Sequence, residues 1–253
     1  MSAAALFFLL LGALATAAFS AVFGVAGGMM LFVLVNLFLS VRAAVPIHAV
    51  VQLVSNVSRV AVSLRQVYVP IVWRFILPLP VGAYLGGLCI QYANPYWLEL
   101  LMSLAILVMV NVIPPKQHST AVKAVSTRFL YVFMALGFAS GFLGMLVGVV
   151  GPFISPFFLK TALKKEQTVA TKAACQLTAH VIKIPTFIWV VDFDFGEYAG
   201  LMVALVAVTV LGAVLGNQWL KKISDGSYHR WERIVLSVLS LVMLGKAVYR
   251  LVG

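Results

Sequence analysis

Carboxylates are scarce in this chain: seven Asp and Glu in 253 residues, against eighteen Lys and Arg. Charged residues of both signs make up 10% of it and apolar residues 63%, with a mean hydropathy of +1.07. A soluble domain carries about 25% charged residues. So few charges cannot cover a water-facing surface, which excludes the soluble enzymes and nucleic-acid-binding proteins that a net charge of +11 would otherwise suggest. Cysteine is nearly absent. Cys89 and Cys175 both fall inside apolar stretches, match no metal-ligand spacing and read as small buried side chains. Lys and Arg are missing from Met1 to Leu11, so the basic start of a secretory signal is lacking and the first segment reads as a retained membrane helix.

What is present is long apolar runs, so the chain reads as an all-α polytopic membrane protein. At about 20 residues per span, its length allows roughly eight to ten membrane segments. The runs fall near 3–23, 29–39, 44–64, 70–91, 95–113, 129–147, 149–159, 168–191, 197–220 and 232–252. The longest polar interruption, 114–128, divides the chain nearly in half. We expect a first repeat over 1–113, a cytoplasmic linker over 114–128 and a second repeat over 129–253.

The two halves carry matching motifs. Gly24-Val25-Ala26-Gly27-Gly28 aligns with Gly148-Val149-Val150-Gly151-Pro152 at an offset of 124. The same offset sets Gln52 on Gln176, Asn56 on His180 and Arg59 on Lys183. Gly82 and Gly86 match Gly212 and Gly216 at an offset of 130. Lys and Arg mark the loops 114–128, 160–167 and 221–233 as cytoplasmic by the positive-inside rule, and the acidic loop 192–197 as external. Both termini are then external, with Arg42 the one discordant charge. Loop 64–69 falls inside while its counterpart, 192–197, falls outside. The halves are therefore expected to be inverted repeats of about five membrane elements each, opening on hairpins broken at the glycine turns.

Polar residues inside apolar runs carry the functional weight. Gln52, Ser55, Asn56 and Arg59 recur at i, i+3, i+4 and i+7, one face of a helix. Gln176, His180 and Lys183 repeat the pattern, with Lys172 one turn earlier. Lys183 lies about 22 Å into its helix at 1.5 Å per residue, whereas Arg59 is close enough to an end to snorkel. None of the seven acids falls at the centre of a predicted span. An intramembrane cation without a carboxylate partner points to an anionic ligand. A cation carrier or carboxylate-based proton pump would keep Asp or Glu at mid-depth, and hydrolase chemistry lacks its carboxylates and metal clusters.

The glycine turns add helix N-termini suited to oxyanions, so Gly27, Gly28 and Gly151 join the candidate binding residues. The Gly82/Gly86 and Gly212/Gly216 pairs read instead as helix-packing contacts. His180 and His48 are the intramembrane groups that could couple transport to protons. No cofactor and no metal are expected. The partners are a small anion and the lipid bilayer, with no nucleic acid, and a homodimer is left open.

With these motifs in hand, the chain resembles the sulfite exporter TauE/SafE family, also called the 4-toluene sulfonate uptake permease family. The resemblance rests on the duplicated glycine turns, the run Ala170-Thr171-Lys172 … Gln176 … His180 … Lys183, and the Gly82–Gly87 and Gly212–Gly216 blocks. Pro152, where the first repeat has Gly28, departs from the duplicated pattern. The resemblance implies transport of small sulfur-containing or organic anions, such as sulfite or organosulfonates. The expected function is a secondary anion transporter of a bacterial inner membrane. An anion channel and a non-transporting membrane scaffold are the alternatives.

Overall fold

The computed structural model describes residues 2–23, 26–90, 92–112, 125–148, 150–161, 163–220 and 225–252. All regular structure among them is helical. In chain order the helices are α1 (Ala3–Phe23), α2 (Ala26–Phe38), α3 (Val41–Ser63), α4 (Val69–Ile76), α5 (Leu79–Cys89), α6 (Pro95–Val112), α7 (Thr127–Leu130), α8 (Val132–Val147), α9 (Gly151–Phe158), α10 (Lys165–Trp189), α11 (Ala199–Leu220) and α12 (Asp225–Val252).

Among the described residues four stretches are long and apolar enough to cross a membrane: Ala3–Ala21, Ala43–Gln66, Thr127–Val147 and Gly196–Gly216. A fifth appears if α4 and α5, bent by 41° at their junction, count as one. This is fewer than the eight to ten segments expected. The difference has a chemical origin. Helix α10 is 25 residues long but carries Lys165, Glu166, Lys172 and Lys183, while α2 and α9 have only 13 and 8 residues. The run expected over 70–91 is divided because Pro78 and Pro80 cannot donate the backbone bonds that would carry a helix through. Most of the expected loop 221–233 is also revised, since α12 is already helical from Asp225. Most of the linker 114–128 and residues 221–224 lie outside the described residues.

The glycine turns sit slightly differently from expectation. Helix α2 begins at Ala26, so Gly27 and Gly28 belong to its first turn rather than to the link before it. Gly24 and Val25 lie outside the described residues. In the second half Gly148 ends α8 in the left-handed region, at φ 84°, and its N–H returns to the Gly144 carbonyl at 3.1 Å. Glycine takes that conformation without a Cβ penalty. Helix α9 then starts at Gly151.

Helices from the two ends of the chain pack together: α1 on α11, α5 on α8, α6 on α12 and α3 on α10. Two of these seams run backbone against backbone. A side chain at Gly82 would strike the Phe138 carbonyl, and one at Gly86 would begin 2.5 Å from that of Phe142. Likewise Gly212 lies on the Leu14 carbonyl, at 2.5 Å for a first side-chain carbon, and Gly216 on that of Ala18. Small residues permit this approach, and dispersion between the helices replaces the hydrophobic effect that lipid does not supply. Exposed Phe7, Leu11, Val81, Leu85, Leu211 and Val214 cover the outer faces of the same helices.

Candidate functional site

Helices α3 and α10 lie against each other inside this packing. Ser40 caps α3, its hydroxyl accepting from the Ala43 N–H at 3.4 Å. The Tyr68 N–H donates to the Thr171 hydroxyl at 2.9 Å, tying the entrance of α4 to α10. Pro185 removes the backbone bond to Val181 within α10. Both polar stripes are buried. His48, Gln52, Ser55, Asn56 and Arg59 from α3, and Lys172, Gln176, His180 and Lys183 from α10, all fall in the interior.

The two stripes meet at the histidines. The His48 and His180 rings pack edge to face with centroids 5.9 Å apart, and Phe32 of α2 takes the other side of His48 at 5.5 Å. His48 Nε2 donates to the Gly28 carbonyl at 2.8 Å. Since a carbonyl only accepts, that bond fixes the proton on Nε2 and leaves Nδ1 as a lone pair. Gln52 lies against the same glycine, its Nε2 2.8 Å from where a Gly28 side chain would begin. The first turn of α2 is thus seated on α3 by two side chains of the polar stripe.

The two cations are held differently. Arg59 is 8% exposed and does not snorkel. Its Nη2 donates to Ser20 of α1 at 2.8 Å and to Ser55 at 3.0 Å. Lys183 is 2% exposed, and its Nζ donates to the Gly148 carbonyl at 3.0 Å, at the break between α8 and α9. Gly144 leaves room for it, with Lys183 Cε and Nζ 3.5 Å from the place a side chain would occupy. The acids whose side chains are described, Glu166, Asp192, Asp194 and Glu197, are all exposed. Among the described residues none lies within ion-pair distance of Lys183.

His48, Gln52, Ser55, Asn56 and Arg59 of α3 and Gln176, His180 and Lys183 of α10 make up the buried polar layer of this helix pair, and His48 and His180 meet across it. Gly28 touches the layer through its carbonyl. Gly27 instead packs on Thr16 and Ser20 of α1. Gly151 is the first residue of α9. The spacing of the stripes did not reveal Ser20, Phe32, Gly144 or the Gly148 carbonyl. The one available signal was Ser20, a hydroxyl four residues before the first glycine turn, whose counterpart at the 124 offset is Gly144.

A family model described as Sulfite exporter TauE/SafE matches residues 8–245. No curated protein matches, and no solved structure does. The family match spans almost the whole chain, including every residue of the buried polar layer. The chain belongs to the TauE/SafE sulfite exporter family, whose members are membrane transporters of sulfite- and sulfonate-type anions and not enzymes.

Proposed function

We propose that this chain is a secondary carrier of a small oxyanion, sulfite or an organosulfonate, bound between α3 and α10 and moved by alternating access of two inverted halves. The observation that carries the reading is Lys183, an ammonium buried at a helix break with no carboxylate within ion-pair distance among the described residues. A charge in an apolar interior is costly unless paired. A substrate anion supplies the missing sign. Arg59 adds the second charge, Gln52, Ser55, Asn56, Gln176 and His180 the polar contacts, and the starts of α2 and α9 at Gly27, Gly28 and Gly151 the backbone N–H groups.

The paired seams support an inverted repeat over 1–113 and 129–253. Gly82 lies on Phe138 and Gly212 on Leu14. Leu14 and Phe138 differ by the same 124 residues that align the glycine turns, and Gly82 and Gly212 by the 130 that align the glycine pairs. The two seams are then one contact made twice, with the roles of the halves exchanged. The setting is a multi-pass protein of a bacterial inner membrane, with loops 160–167 cytoplasmic and 192–197 external. Proton coupling runs through His180, which faces His48, Lys183 and Arg59, or through the protonated substrate.

The test is uptake of sulfite and organosulfonates by the purified chain in proteoliposomes. Saturable counterflow is expected, with external substrate accelerating the exit of labelled substrate; its absence with flux retained would mean a channel. Lys183→Gln should lower uptake by about ten- to a hundredfold, as expected for a charge-assisted bond of about 1.5–3 kcal/mol, in a protein that remains folded. A folded Lys183→Gln variant with undiminished uptake sinks the site.

A further inference from the structure

The layer between α3 and α10 holds more open hydrogen-bond acceptors than an oxyanion can use. The bond from His48 Nε2 to the Gly28 carbonyl turns Nδ1 into an acceptor, and this buried Nδ1 has no donor among the described residues. Asn56 is 0% exposed, and neither its Oδ1 nor its Nδ2 has a partner. Whichever way that amide is turned, one acceptor and one donor stay open. Gln52 adds an open Oε1. His48, Gln52 and Asn56 are spaced four residues apart and share one face of α3. They make a column of acceptors, one per turn.

The two helices also carry donors: Gln176 Nε2 and Asn56 Nδ2, both open among the described residues, and the buried ammonium of Lys183. A sulfonate or a fully ionised sulfite only accepts hydrogen bonds, so it answers these donors and leaves the acceptors unanswered. Buried acceptors without donors are costly, and native interiors rarely keep several together. Their presence in one layer calls for a ligand with a donor of its own.

Resting on the carrier reading above, we infer that the substrates are oxyanions bearing their own hydrogen-bond donor, such as hydroxy- or aminoalkane sulfonates, in preference to fully ionised sulfite or plain alkane sulfonates. The anionic end sits toward Lys183 and Arg59, and the hydroxyl or ammonium donates to Asn56 and Gln52. A site built to bond a substrate hydroxyl discriminates strongly against the analogue that lacks it, because its own polar groups are then left unpaired.

The experiment compares 2-hydroxyethanesulfonate with ethanesulfonate, which differ by one hydroxyl, in calorimetric binding to the purified full-length chain in lipid nanodiscs. The hydroxyl probe is expected to bind about ten- to a hundredfold tighter. Asn56→Leu, which keeps the volume and removes both polar atoms, should bring the ratio close to one; Gln52→Met serves if that variant does not fold. Equal binding of the two probes to the native chain overturns this inference and leaves the carrier reading standing. A preference that survives both substitutions overturns the assignment to these side chains. Binding of sulfite but of neither probe at millimolar concentration overturns this inference alone, and binding of none of the three overturns the carrier reading as well.

Discussion

Arg59 and Lys183 occupy matching sequence positions, yet their surroundings assign them different work. Arg59 is fixed by two hydroxyls from two helices, so it is oriented before any ligand arrives. Lys183 rests on a single carbonyl at a helix break and can exchange that bond for one to an anion. Ser20→Ala removes one of the two Arg59 anchors. Hydrogen bonds to charged groups contribute about 1.5–3 kcal/mol, so this variant should melt several degrees lower than the native chain in a detergent thermal-shift assay. It should also show a larger rise in KM than fall in the maximal uptake rate, because Ser20 positions a binding group. An unchanged melting temperature would mean that the Arg59–Ser20 bond adds nothing in the membrane. At this scale the sequence was legible wherever one helix carried the information. The spacing of Gln52, Ser55, Asn56 and Arg59 was enough to put them on one buried face. Ser20 was not legible, because it comes from α1 and no periodicity links it to Arg59. Whether Arg59 would snorkel depended on that unseen partner.

At the scale of the helix, the glycine seams and the proline break dominate. Any side chain at Gly82 or Gly212 meets backbone of the facing helix, which cannot rotate away. Gly82→Leu and Gly212→Leu should therefore destabilise by about 3 kcal/mol or more, at the upper end of overpacking costs. Gly200, in the first turn of α11, has nothing within 4 Å of its would-be side chain. Gly200→Ala should be neutral or stabilising by up to about 1 kcal/mol, from helix propensity alone. A thermal-shift series on the three variants checks the contrast, and equal effects would mean that the seams are loose. Apolar runs located most helices from sequence, because an interior that excludes water forces the backbone to satisfy itself. They failed where chemistry and helicity part company. Residues 225–233 are polar in composition and still helical, while 70–91 is mostly apolar and broken by Pro78 and Pro80.

Across the whole molecule, the contacts that matter join distant parts of the chain. The proposed topology makes a direct prediction for cysteine labelling in a Cys89→Ser, Cys175→Ser background. A cysteine at Asp194 should react with an impermeant maleimide in intact cells, and one at Lys164 only after permeabilisation; the reverse result would invert the protein. The proposed alternating access makes another. A disulfide across the α5–α8 seam should leave transport intact, since that seam stays closed as one rigid body. One across α3 and α10 should stop it until reduced. Transport that is blocked equally by both would place the moving boundary elsewhere. The sequence allowed the repeat to be proposed but gave no hint that each half seals itself with helices of the other.

That crossed packing also sets a timetable for synthesis. Helix α1 leaves the ribosome well before α11, the partner that covers its Leu14 and Ala18 backbone. At about 5–20 residues per second, α1 waits on the order of 10–40 s in the bilayer before Gly212 and Gly216 arrive. During that interval the Leu14 and Ala18 backbone lacks its cover from α11, which leaves the nascent first half open to membrane proteases. An N-terminal fragment ending near residue 112 should be short-lived in cells, and co-expression of a fragment from 125 onward should rescue both.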